Sequence, residues 1–265
     1  MLLLRKIFAY PLSILFFLGF FGSLVFFHPI QWLCLKVFGY QAHKKSVDYL
    51  NFMLMRSLNI LGTTFHFDNP HTLNRDQPYI IVANHQGPYD IPPIIWYLRR
   101  VHPKFISKKE LGKGVPSISF NLRHGGSALI DRNDKLQSLR TIKELTQTLN
   151  ETKRSVVIFP EGTRSKDGIP RAFSPGGLIT LFTEMPDAMV LPLTIHNSWK
   201  LMRWGNYPID LGVNVKHIVH EPIPVSSMPV RQLVQKVQEI VLADFPEVRR
   251  REREPRKTTA KKTNV

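Results

Sequence analysis

Between Lys6 and Lys36 the chain carries no Asp, Glu, Lys or Arg. Those 29 residues are rich in Phe and Leu, and as one helix they would extend about 43 Å against a hydrocarbon core of roughly 30 Å. An ordinary core helix has no need of so long an uncharged run, so the stretch directs this end of the chain to a membrane. Pro11, Gly19, Gly22 and His28-Pro29 interrupt it, and Pro29 disfavours helix at the residue before it. Two forms fit: a single span, or a helix broken at His28-Pro29 with a second helix returning towards Lys44, a hairpin that dips into one leaflet. Arg5-Lys6 followed by an apolar run also fits the opening of a cleaved signal peptide, but no small-residue cleavage pattern follows it. Residues 1–60 are expected to be N-terminal apolar helices that anchor the chain in a membrane.

Further on, the apolar pattern switches between two periods. Thr63–Phe67, Tyr79–Ala83, Lys104–Ser107, Ser127–Ile130, Ser155–Phe159, Ala188–Ile195 and Val213–Val219 read as strands. Residues 44–60, Ile91–Leu98, Leu136–Leu149, Gly177–Thr183 and Val230–Phe245 read as helices. Strands alternating with helices predict an α/β fold over residues 61–248, with a mixed, mostly parallel sheet flanked by helices. The mixture is expected because Thr63–Phe67 and Tyr79–Ala83 are joined by a polar loop and not by a crossover helix. Pro192, inside Val190–Ile195, points to an edge strand or a bulge.

The net charge is +16, and +10 of it lies before residue 249. The surface therefore suits anionic lipid, phosphorylated substrates, an acidic carrier protein or nucleic acid, and charge does not rank these four. Residues 249–265 hold eight Lys/Arg and two Glu and are expected to be a basic, disordered tail. The one cysteine, Cys34, excludes an internal disulfide and any multi-cysteine metal site. It sits in the apolar segment, which argues against a catalytic thiol, and its solitude fits a cytosolic compartment.

The chemistry collects at strand ends. Pro78–Ala83 is an apolar, β-rich run that ends in Asn84-His85-Gln86-Gly87-Pro88-Tyr89-Asp90. Histidine takes a proton near neutral pH, and a carboxylate fixes its tautomer. Pro88 suits a first helical turn. The same His-x-x-x-x-Asp spacing occurs at His43/Asp48 and His71/Asp76. The first of those lies in a helical run, where five residues place the pair about 140° apart, and the second lies in a loop. Only His85/Asp90 joins a buried-type strand to a helix start.

Gly125–Arg132 is a second strand closing on an acid–base pair, Asp131-Arg132. Val156–Ser165 is a third, and its turn Pro160-Glu161-Gly162-Thr163-Arg164-Ser165 concentrates a carboxylate, a flexible glycine, hydroxyls and a guanidinium. Arginine matches a phosphate with two parallel hydrogen bonds. Together these residues describe an alcohol on a phosphorylated lipid, deprotonated by a histidine and attacking an acyl group. No Gly-x-Ser-x-Gly elbow is present, so an acyl-enzyme on serine is not indicated.

The blocks His85–Asp90, Gly126–Arg132, Phe159–Ser165 and Val190–Ile195, in this order, resemble the glycerolipid acyltransferase family, in its branch that acylates lysophosphatidic acid. The resemblance covers roughly residues 60–220. It implies direct transfer from acyl-CoA or acyl-carrier protein, as co-substrate with no further cofactor and no metal, to a lysophospholipid hydroxyl. It implies His85 as general base, Asp90 as its orienting partner, and Arg132, Glu161, Gly162, Thr163 and Arg164 as acceptor-binding residues. Lys108 and Lys109 fall where the family often has a basic residue near the phosphate. The implied partners are membrane lipid, acyl donor and lysophospholipid, with no nucleic acid. The compact length and the lack of a targeting pattern, for their part, suggest the cytoplasmic face of a bacterial inner membrane. Two departures stand out: Gly87, where family members often have Ser, and Leu129, where they often have Phe. Two further readings stay open: a different lysophospholipid or amino-acid lipid as acceptor, or a non-catalytic basic protein that binds membrane or nucleic acid.

Overall fold

A computed structural model describes residues 2–250. In chain order the elements are α1 (Leu2–Val37), α2 (Gly39–Asn59), β1 (Thr64–Asp68), β2 (Tyr79–Ala83), α3 (Ile91–Tyr97), β3 (Pro103–Lys108), α4 (Ile118–His124), β4 (Ala128–Ile130), α5 (Lys135–Thr152), β5 (Ser155–Ile158), α6 (Pro175–Glu184), β6 (Met189–His196), β7 (Asn214–Val219), β8 (Ile223–Pro224) and α7 (Val230–Leu242). The strands form one mixed sheet in the order β1-β7-β6-β2-β5-β3-β4, with β8 on the flank of β6. All pairings are parallel except β6 with β7 and β6 with β8.

β2 and β5 are buried at every residue, as strands covered on both faces must be. Ile80, Val82, Val156, Ile158 and Val190 face α5, α6 and α7. The alternate residues Ile81, Val157, Leu191 and Leu193 face α3 and Val47 of α2. The expected α/β architecture is therefore present as helix, sheet and helix layers.

Three expectations are corrected. β1 does run opposite to β2, but β6 and β7 lie between them, so the short connection crosses the sheet instead of closing a hairpin. Pro192 is on a central strand, so the edge reading fails and the bulge reading fits: between the Leu193–Val219 and Val190–Ile223 pairs β6 has two residues where its partners have three. Its carbonyl accepts from His220 N at 3.0 Å, on the side where β6 changes partner from β8 at Val190 to β7 at Leu193. The missing N–H thus falls in a gap of the ladder.

The third concerns the apolar N-terminal run. α1 runs unbroken through Pro11 and Pro29, and the chain reverses instead at Gly39, whose φ of +80° suits glycine. The body holds α1 along its length up to the residue before Pro29. Ser117 donates its N–H to His28 Nδ1 at 3.0 Å and its hydroxyl to Leu24 O at 2.6 Å. Arg5 pairs with Asp210 at 2.7 Å, Ser13 Oγ accepts from Ile209 N at 2.9 Å, and Phe16 packs with Leu58, Tyr89 and Leu201. α1 is thus tied to the body from Arg5 to His28, while Leu4, Phe8, Leu15, Leu18, Val25 and Phe26 point outwards.

Of the basic tail, residues 251–265 lie outside the described residues. Arg249 is ordered by pairing: it donates its N–H to Pro170 O and accepts from Ala172 N, both at 2.9 Å.

Candidate active site

Four neighbouring parallel strands, β2, β5, β3 and β4, end on the same edge of the sheet. The turns after them carry His85, then Glu161 to Arg164, then Lys108, then Arg132. With strands about 4.8 Å apart, the base stands at one end of a row roughly 14 Å long and the cations fill the rest. Ligands of open α/β sheets bind outside such carboxyl ends.

His85 and Asp90 are brought together and the other two matches are not. After β2 the chain enters a 3₁₀ turn, Pro88–Asp90, that leads into α3. This turn folds the carboxylate back under the histidine. Asp90 Oδ2 accepts from His85 Nδ1 at 2.8 Å, from Gln86 N at 2.8 Å and from Gly87 N at 2.9 Å. Burial pushes the Asp90 carboxyl up, but the hydrogen bond and charge of His85, the Gly87 N–H and the Ser198 hydroxyl outweigh it and hold the carboxyl below its ordinary range. An ionised carboxylate only accepts, so the His85 proton sits on Nδ1 and the Nε2 lone pair is left for a substrate. The ring is braced flat against Phe159, centroids 4.1 Å apart.

Glu161 is spent within the protein. It is 2 % exposed; Oε1 accepts from His85 N at 2.7 Å, and Oε2 from Ser165 Oγ at 2.5 Å and Arg171 N at 2.8 Å. Ser165 N in turn donates to His85 O at 2.7 Å. The third turn is therefore stapled to the first on both sides of His85, and Glu161 reaches an acceptor only through that staple.

Arg132, Thr163 and Arg164 are exposed, and Gly162 has a φ of +75°. The Arg132 guanidinium donates to Gly162 O. Although the Arg132 side chain reaches solvent, partial desolvation, then the charge of Arg164, lowers its pKa; Arg164 also acts on Tyr89, whose phenol burial holds above its ordinary range. Arg164 directly precedes Ser165, whose N–H is bonded to His85 O at 2.7 Å, so it stands on the rim shared with the His85 turn. Lys108 is exposed at the end of β3 opposite Ile130 of β4, two residues before Arg132.

Three contributors carry no sequence signal. Asn84 bridges β2 to β6, giving Nδ2–H to Ile195 O at 2.9 Å and accepting from Ile195 N at 2.7 Å. Trp199 N reaches Gln86 Oε1 at 3.5 Å. Ser198 lies 113 residues along the chain from His85, yet its Oγ is 3.4 Å from where a Cβ on Gly87 would stand. The turn after the neighbouring strand β6 thus sets a hydroxyl beside the position where Gly87 carries none.

An Acyltransferase family model matches residues 64–196, half of the sequence. The chain belongs to the acyltransferase family. Among relatives, it is 38% identical over 128 residues to a 1-acyl-sn-glycerol-3-phosphate acyltransferase of Helicobacter pylori, covering 46% of this chain and 50% of that one. It is 32% identical over 155 residues to the chloroplastic 1-acyl-sn-glycerol-3-phosphate acyltransferase LPAT1 of Arabidopsis thaliana, covering 58% of this chain and 42% of the relative. The matches thus span about half the length of these acyltransferases. The crystal structure of the 1-acyl-sn-glycerophosphate acyltransferase PlsC from Thermotoga maritima superposes with a TM-score of 0.73 at 23% identity, over 91% of this chain and 95% of that one. That likeness gives the acyltransferase fold, including the mostly parallel sheet.

Proposed function

We propose that this acyltransferase moves a fatty acyl group from acyl-CoA or acyl-carrier protein to the free hydroxyl of lysophosphatidic acid, giving phosphatidic acid. The observation that carries the reading is a histidine with a free Nε2 on the same strand-end row as Arg164, Arg132 and Lys108. The row supplies two functions at one cleft: a base for an alcohol, and a cationic grip for a phosphate held some way from the reacting oxygen.

The acceptor hydroxyl gives its proton to His85 Nε2 as its oxygen attacks the thioester carbonyl. Collapse of the tetrahedral intermediate breaks the C–S bond, and the imidazolium returns the proton to the departing thiolate. Asp90 stays ionised throughout and steadies the imidazolium. Arg164, with Arg132 and Lys108, holds the phosphate, while Gly162, whose own N–H is given to Phe159 O, lets the backbone come close and Thr163 offers a hydroxyl donor.

The membrane part of the proposal is attachment to one leaflet. α1 is long and apolar enough to cross a membrane, but its ties to the body from Arg5 to His28 favour lying along the surface with the outward apolar face in lipid. The lone Cys34 is consistent with the cytoplasmic face of a bacterial inner membrane.

Full-length protein with labelled acyl-CoA, acyl-carrier protein and a panel of lysophospholipids tests the reading. Phosphatidic acid formed from lysophosphatidic acid is the expected product. Transfer only to acceptors without a phosphomonoester would overturn the acceptor assignment.

A further inference from the structure

At the opposite, amino-terminal ends of β3 and β5, the tip of the helical hairpin closes over a second group of cations. Lys104 lies at the start of β3 and is 7 % exposed. Among the described residues no carboxylate stands within ion-pair distance of it, since the nearby Asp48 is taken by Lys44 at 2.5 Å. Its ammonium sits 5.1 Å from the centroid of the Tyr40 ring, and the Arg154 guanidinium lies 4.1 Å from the same centroid. His43, 1 % exposed, has both ring nitrogens buried and unbonded. Ser127 Oγ accepts from Phe105 N at 3.2 Å, which leaves its own proton to donate. His43, Lys44, Asp48, Lys104 and Ser127 help to wall one cavity of about 20 Å³, more than the roughly 10–15 Å³ one water needs.

Buried charges are ordinarily paired, because an uncompensated one costs several kcal/mol. Here burial, then repulsion from Arg154 and Lys44, brings the Lys104 pKa down to about 7. The hollow is rich in donors and its one carboxylate is already engaged. It is also too small for a lipid or a thioester, and it lies a strand's length from the turns that carry His85 and Arg164.

We propose that this hollow is a second oxyanion site, seating one oxygen of a phosphate-type group between Lys104, His43 and the Ser127 hydroxyl. The group is either the headgroup phosphate of an anionic lipid or a free oxyanion. Bound there, it ties α2 to the starts of β3 and β5 and locks the hairpin tip to the catalytic body.

The test uses the full chain carrying Arg164→Ala, so that the cleft's own cations contribute less, with sulfate as a non-titrating phosphate mimic. Sulfate is expected to raise the unfolding midpoint, and adding Lys104→Met to remove the part of the rise that exceeds the general salting effect. A second measurement needs no variant: sulfate should slow reductive methylation of Lys104 in the unmodified protein, read by mass spectrometry, because an anion keeps the amine protonated. Phosphatidylglycerol vesicles that slow it where phosphatidylcholine vesicles do not identify the headgroup as the source; protection by sulfate alone identifies a soluble oxyanion. Equal midpoint shifts with and without Lys104, together with unchanged labelling in sulfate and in both vesicles, would overturn the site.

Discussion

His43/Asp48 and His85/Asp90 share one spacing and part company in everything else. On α2 both side chains are buried, yet Asp48 turns to Lys44 and the His43 ring finds no partner. After β2 the same five-residue step bends through a 3₁₀ turn, and three donors converge on one carboxylate oxygen. A helix holds residues five apart on different faces, whereas a turn that opens with proline folds them together. The spacing alone is empty; the backbone between its ends makes it a dyad.

The largest effect expected from breaking the contrast is at His85. His85→Ala should lower kcat/KM by up to about 10⁴-fold, while His71→Ala, at the third spacing match, should leave stability within about 0.5 kcal/mol and acyl transfer unchanged. Radiolabelled transfer on both proteins decides it, and equal activities would remove the dyad from the mechanism. Asp90→Asn comes next, at about 10²–10³-fold, because the amide no longer dictates which imidazole nitrogen keeps its proton. Arg164→Ala should raise the acceptor KM roughly 10–100-fold, the worth of a charged hydrogen bond, with a smaller fall in kcat from the lost positioning.

The smallest effect sharpens the comparison most. Ser198→Ala should cost about 2–10-fold in activity. It should also raise the Asp90 pKa towards the ordinary value, because the hydroxyl is among the groups that depress it. A carboxylate depressed by folding stabilises the protein above its unfolded pKa, and that gain is lost as pH falls through the folded pKa. Acid unfolding of Ser198→Ala should therefore begin at higher pH than in the parent. Gly87 has an extended φ of −163°, so Gly87→Ser in the Ser198→Ala background should restore part of both losses.

Much of this was legible because the apolar runs are strong and the turns between them are short. The strands β2, β5 and β6, the turn holding His85 and Asp90, and the cluster around Arg164 all announce themselves in the residues. Other features depend on partners far away in the chain. Pro29 predicts a break only while Ser117 is out of view. Glu161 reads as a ligand-binding carboxylate until three donors of its own protein claim it. α4 spans seven residues, two helical turns, which is too short for periodicity to show. Ser198 follows β6 in an unremarkable stretch, and nothing local marks it as a neighbour of Gly87.

Phe16 and Phe20 of α1 both meet the ring of Tyr89, with centroids 5.8 and 5.9 Å apart, and Tyr89 directly precedes Asp90. On the proposed reading, little more than one helix diameter, about 10 Å, parts the acyl chains of the bilayer from the reacting alcohol. A lysolipid would then slide in sideways without desorbing, and its product would leave by the same route. Turnover would follow the mole fraction of acceptor in the plane of the leaflet, so diluting it with inert lipid should slow the enzyme even when the total amount per volume is unchanged.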